Sequence, residues 1–127
     1  MNVVDSSAWL SYFAGVNHAR LFAKPIEALD KLLVPSITIT EVFKSELRQR
    51  NEESALEVVA HMEQGTVIAL DGELAVNAAV FSVELKLPLA DSIIYATAQK
   101  YDAVVWTQDT DFKGLESVKF YPKAKAT

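Results

Sequence analysis

The sequence predicts an α/β fold: a central, mostly parallel five-stranded sheet flanked by helices in three layers. Three observations predict it. Short apolar runs alternate along the chain with stretches whose apolar residues recur at helical spacing. Runs such as Asn2-Val3-Val4 and Val104-Val105-Trp106 are nearly all apolar, as strands covered on both faces must be. A chain of 127 residues, half of them apolar, suits one sizeable core, and no stretch reads as a linker, repeat or low-complexity segment. The expectation is one domain over 1–127, with a loose basic tail from about 122 to 127.

Asn2-Val3-Val4 is the first strand. Asp5-Ser6-Ser7 closes it with three residue types that cap helices. A short helix over 8–13 stops near Gly15. Leu21, Phe22, Ile26, Leu29, Leu32 and Leu33 give the helical period over 19–33, with Pro25 marking the start of the main helix. Leu33-Val34-Pro35 is the second strand. Ser36 to Thr40 lead into a helix ending near Arg50, with Ile39, Val42, Phe43 and Leu47 inward and Glu41 in its first turn. The next helix spans about 52–64, with Leu56, Val59, Ala60 and Met62 inward, and Gly65 ends it. A strand over 66–70 and a helix over 73–86 follow. Leu87-Pro88 breaks the chain before a helix over 89–101 that opens with Asp91. The fourth strand, 103–107, delivers Thr107, Asp109 and Asp111 to its carboxyl end; a helical turn over 112–115 and a strand over 118–121 complete the pattern.

Composition excludes several classes. There are no cysteines, so disulfides and thiolate zinc sites are ruled out, and a cytoplasmic chain is the default. No apolar run reaches the ~18 residues that span a bilayer, so no membrane association is expected, and the opening residues do not read as a signal peptide. The net charge of −5 gives no general attraction for nucleic acid. However, Asp5, Glu41, Asp91 and Asp109 at a metal would account for four of those five charges. The remainder of the molecule would then tolerate a polyanionic substrate.

Each acid has a plainer reading. Asp5 can simply cap the next helix. Glu41 can favour a helix start or pair with Lys44. Asp91 can satisfy free N–H groups at its helix start. Asp109 and Asp111 can form a self-capped turn. His18 and His61 lack partners at metal-binding spacing and read as ordinary surface residues. Taken together, though, the four acids each sit at a strand end or helix start within apolar sequence. In a parallel sheet those positions share one edge. Two carboxylates ~4 Å apart repel by roughly 4 kcal/mol at an effective dielectric near 20. Several such pairs approach the whole stability of a domain, about 5–15 kcal/mol. A divalent cation converts that repulsion into binding, and hard oxygen ligands suit magnesium or manganese.

Over essentially its whole length the sequence resembles a PIN-domain ribonuclease, and more narrowly a VapC-type toxin. The residues that carry the likeness are Val3-Val4-Asp5-Ser6-Ser7, Thr40-Glu41-Val42, Leu89-Ala90-Asp91-Ser92-Ile93-Ile94-Tyr95-Ala96-Thr97-Ala98 and Thr107-Gln108-Asp109-Thr110-Asp111-Phe112. The resemblance implies a PIN-like fold and a metal-dependent endoribonuclease. It places Asp5, Glu41, Asp91 and Asp109 on the family's acidic quartet, with Asp5, Asp91 and Asp109 as metal ligands. Glu41 is then the candidate to bind a second ion or orient the attacking water. Thr107 and Ser6 would steady the carboxylates, and Asp111 would reach the metal directly or through water. Lys44, Arg48 and Lys113 are candidate phosphate contacts. The resemblance also implies an RNA substrate, a homodimer and a cognate antitoxin, with Trp9, Tyr12, Phe13 and Phe43 as candidates for the antitoxin groove.

Two other classes were open on the residues alone. A magnesium-dependent phosphotransfer domain, of receiver or haloacid-dehalogenase-like type, also gathers aspartates in an α/β fold. Asp5 stands alone at the first strand, without the paired acids of a receiver, and Asp5-Ser6-Ser7 lacks the Asp-x-Asp of the phosphatase. A catalytically inactive PIN fold used only for binding is the non-enzyme alternative, and the intact acidic quartet argues against it.

Overall fold

Successive residues of a strand face opposite sides of its sheet, and Val3 and Val4 show how the core divides. Val4 packs with Trp9, Phe22, Ile26, Val42 and Trp106 on one face. Val3 packs with Leu33, Ile94, Tyr95, Val105 and Phe112 on the other. The same alternation separates Leu33 from Leu32 and Val34, and Val105 from Trp106.

The computed structural model describes residues 1–123. In chain order the elements are β1 (Asn2–Val4), α1 (Ser6–Ala14), α2 (Ala19–Glu27), a 3-10 turn (Leu29–Lys31), β2 (Leu32–Pro35), α3 (Ser36–Gln49), α4 (Glu52–Met62), β3 (Thr66–Ile68), α5 (Gly72–Leu85), α6 (Leu89–Lys100), β4 (Val104–Thr107), a second 3-10 turn (Thr110–Phe112) and β5 (Val118–Phe120). The strands form one five-stranded sheet in the order β3-β2-β1-β4-β5. All four pairings are parallel, with Asn2 beside Leu32 on one side and Val104 on the other. α1 and α2 cover one face and α5 and α6 the other, so the layers are helix, sheet, helix. The chain winds outward from β1 in both directions, which opens a crevice at the carboxyl ends of β1 and β4.

Several local expectations change. α1 begins at Ser6, because Asp5 caps it by accepting the Ala8 N–H. α2 stops at Glu27 and Pro25 lies in its last turn. Proline breaks a helical hydrogen bond behind it, and Leu32 and Leu33 are taken by the sheet instead. α3 begins at Ser36, so Glu41 stands in the second turn rather than the first. Its inward face is Thr38, Val42 and Glu46, while Leu47 is exposed. In α4, Ala55 and Met62 are buried and Leu56 is 54% exposed. Trp9 is fully buried in the core. Gly65 is required where the chain turns into β3, since a Cβ there would meet Val34 Cγ2 at 2.9 Å. Neither histidine is a plain surface residue: His61 packs against Tyr12 and Phe13, and His18 against Phe22 and Tyr121. Of the expected loose tail, Pro122 is bonded to His18, Lys123 follows it on the surface, and 124–127 lie outside the described residues.

Candidate metal centre

Asp5 leaves β1 into the crevice beside β4. Its carboxylate is 2% exposed and surrounded by donors. Oδ1 accepts from Ser7 Oγ at 2.8 Å and Ala8 N at 2.9 Å. Oδ2 accepts from Thr107 Oγ1 at 2.6 Å and Ser7 Oγ at 3.0 Å. Thr107 also accepts the Asp109 N–H at 2.9 Å, so one hydroxyl connects the ends of β1 and β4. Asp109 in turn accepts the Asp111 N–H at 2.9 Å, which caps the short turn that follows.

Asp91 arrives from the first turn of α6, opposite this strand end. Carboxylate oxygens of Asp91, Asp109 and Asp111 all lie within 4.8 Å of one another. Among the described residues this is the one such group of three metal-ligating side chains. Asp5 lies outside that triad but close enough for its charge to act on Asp91. Glu41 is fixed separately, accepting Ser6 Oγ at 2.6 Å through Oε1.

The electrostatics follow from this crowding. Asp91 is pushed up to about 8, first by burial, then by the charge of Asp109, the hydrogen bond and charge of Asp111, and the charge of Asp5. Asp5 is pushed up to about 6 by burial; Thr107, Ala8 and Ser7 oppose the rise, and the Asp109 charge adds a little. Carboxyls that resist ionisation next to other carboxyls are poised for a cation. The donors are all hard oxygens, with no histidine or thiol, a set that fits magnesium or manganese.

The expected phosphate contacts divide. Lys44 and Arg48 line a groove together with Glu41. Lys113 instead stands 6.0 Å above the Phe120 ring. Three neighbours of the site went unread in the sequence. Ser7 bonds both oxygens of Asp5, and its position two residues on was the only available signal. Gln108 is buried, donates to Ser7 O at 3.2 Å, and leaves its Oε1 without a partner among the described residues. Lys123 lines the cavity of Asp109, which no local pattern foretells.

No curated protein matches the chain by sequence. Among solved structures, the chain is similar to a toxin–antitoxin complex from Klebsiella pneumoniae, with a TM-score of 0.80 and 25% identity, covering 96% of this chain and 99% of the other. It is similar in fold to DNA-bound VapBC from Salmonella typhimurium, with a TM-score of 0.73 and 18% identity over 96% and 98% of the two chains. The sarcin–ricin-loop-cleaving toxin VapC20 of Mycobacterium tuberculosis has the same fold at a TM-score of 0.72 and 16% identity, over 93% and 98%. The PIN domain family model matches residues 3–117, nearly the whole described chain and every acid of the site, and the protein therefore belongs to the PIN-domain family.

Proposed function

We propose that the protein is a magnesium-dependent endoribonuclease and the toxin of a toxin–antitoxin pair. The observation that carries this reading is the convergence of Asp91, Asp109 and Asp111 at the crevice, within reach of the charge of the buried Asp5. Family membership removes the receiver and dehalogenase-like alternatives. When bound, the metal supplies an activated water and stabilises charge on the phosphate oxygens. Asp91 and Asp109 would hold it, and Asp111 would offer a third oxygen. Asp5 adds negative field close by, and four hydrogen bonds from three donors, Ser7, Ala8 and Thr107, keep it rigid. Thr107 locks the two strand ends in register. Glu41, steadied by Ser6, is set to orient the attacking water or to hold a second ion. Lys44 and Arg48 receive phosphates beside Glu41.

Partners belong to the same proposal. The toxin–antitoxin complex from Klebsiella pneumoniae, the nearest in identity of the structures described above, supports a cognate antitoxin. α5 exposes Val76, Val80 and Val83 along one face, the surface proposed for a homodimer. A cytoplasmic location follows from an RNA substrate, and no described helix is long and apolar enough to cross a membrane.

The test is incubation of the protein with cellular RNA and with a mixed pool of single-stranded oligoribonucleotides. Cleavage is expected with magnesium, not with EDTA, and reduced roughly a hundredfold or more by Asp91→Asn. RNA left intact by folded protein with either magnesium or manganese overturns the nuclease reading in favour of a binding-only PIN fold.

A further inference from the structure

Tyr121 and Pro122, directly beyond β5, are fastened. Tyr121 N donates to Thr107 O at 2.9 Å, continuing the β4–β5 pairing past the last strand residue. The Tyr121 ring stacks on Trp106 at 6.2 Å and meets His18 at 5.8 Å. Pro122 O accepts from His18 Nε2 at 2.6 Å; a carbonyl only accepts, so Nε2 carries the proton. His18 itself stands in the turn between α1 and α2, far away in sequence. This clasp brings Lys123 to a cavity of about 410 Å³ shared with Ser7, Gln108 and Asp109. Lys123 also borders the neighbouring cavity, which reaches Ser45 and Gln49 and so meets the groove of Lys44 and Arg48. Lys123 has no ion-pair partner among the described residues.

The placement has a chemical consequence. A polyanion crossing an acidic metal site is repelled wherever no cation stands. On the Glu41 side, Lys44 and Arg48 meet that need. On the Asp109 side, Lys123 is the cation lining the cavity. We propose that Lys123, positioned by the His18–Pro122 clasp, binds a phosphate of the RNA strand flanking the scissile one. The inference rests on the nuclease reading. Lys123 touches substrate away from the reacting atoms, so it governs binding rather than the chemical step. His18 acts through it, as a positioning residue.

The experiment measures kcat and KM of the full chain on a mixed-sequence pool of single-stranded oligoribonucleotides with magnesium, across a series of salt concentrations. Lys123→Gln should raise KM roughly three- to tenfold with kcat nearly unchanged. It should also make the dependence of log(kcat/KM) on log salt shallower by about 0.7, one phosphate contact on a single strand. Lys123→Arg should retain the parent behaviour. His18→Phe keeps the ring contacts and removes the bond to Pro122; it should reproduce Lys123→Gln, and the double variant should be no worse than either. Lys123 is exposed, so its variants test binding without a folding change. Cleavage by the parent with an unchanged KM and salt slope in Lys123→Gln overturns the inference and leaves the nuclease reading standing. A parent that cuts no RNA overturns the nuclease reading and the inference together.

Discussion

Asp91 is the acid on which the site turns. In metal-free protein it holds its proton up to about pH 8, because burial and three neighbouring carboxyls oppose its charge. Asn in its place resembles the protonated form. At pH 7 without metal, Asp91→Asn should therefore melt close to the parent, and at pH 9 above it. Losing a first-turn charge works the other way by ~0.3–1 kcal/mol. Magnesium should reverse the order: the parent gains about 2.7 kcal/mol at a hundred times Kd, and the variant gains less. Melting curves with EDTA and with magnesium check this. An equal magnesium response in the two proteins would falsify the assignment of Asp91 as a ligand.

At the scale of elements, α5 is the helix that the fold leaves half covered. Leu74 and Ala78 face α6, while Val76, Val80 and Val83 are 65%, 47% and 80% exposed. Positions four and three residues apart share a helix face, so the valines form one apolar stripe. Burying about 25 cal/mol per Å² of such surface favours association. Val80→Asp should turn a dimer into a monomer at micromolar concentration, with RNA cleavage chemistry intact in the monomer. Light scattering reads the outcome: a parent already monomeric, or a variant still dimeric, removes α5 as the interface. α3 shows why element faces were harder to read than elements. Glu46 lies inside and Leu47 outside because Glu46 reaches Ser54 at 3.2 Å and Arg50 at 3.6 Å. Hydropathy alone assigns those two positions the other way.

The whole molecule carries the cost of its site as a pH dependence. Asp5 and Asp91 both bind protons more tightly when folded than when unfolded. Their favourable contribution is full below the unfolded carboxyl range near pH 4 and is lost as pH rises through about 6 for Asp5 and about 8 for Asp91. Metal-free protein should thus melt at progressively lower temperature from pH 5 to pH 9. Saturating magnesium should flatten or invert that trend, because the metal competes with those protons. Calorimetry at several pH values decides it; a metal-free melting temperature that rises across this range contradicts the crowded-carboxylate site.

The sequence by itself determined the alternation of strands and helices, the parallel sheet, and the location of Asp5 and Asp109 after strand ends and of Asp91 at a helix start, though it set Glu41 one turn too early. These are local properties: periodicity, capping residues and apolar runs act over a few residues. The resemblance to the PIN family likewise rested on short motifs, each legible where it stands. Only the tertiary structure decided which acids meet. Asp109 and Asp111 join Asp91 because α6 and β4 bring their ends together, whereas Asp5 is drawn into the bonds of Thr107, Ser7 and Ala8. The burial that pushes Asp5 to about 6 comes from packing between β1 and β4, whose residues are a hundred positions apart. Lys123 is the extreme case. Its neighbours in sequence read as a loose basic tail, and its place beside Asp109 depends on a histidine near the start of the chain and a tyrosine that continues a strand pairing. Long-range pairing sets such positions, and no local window contains it.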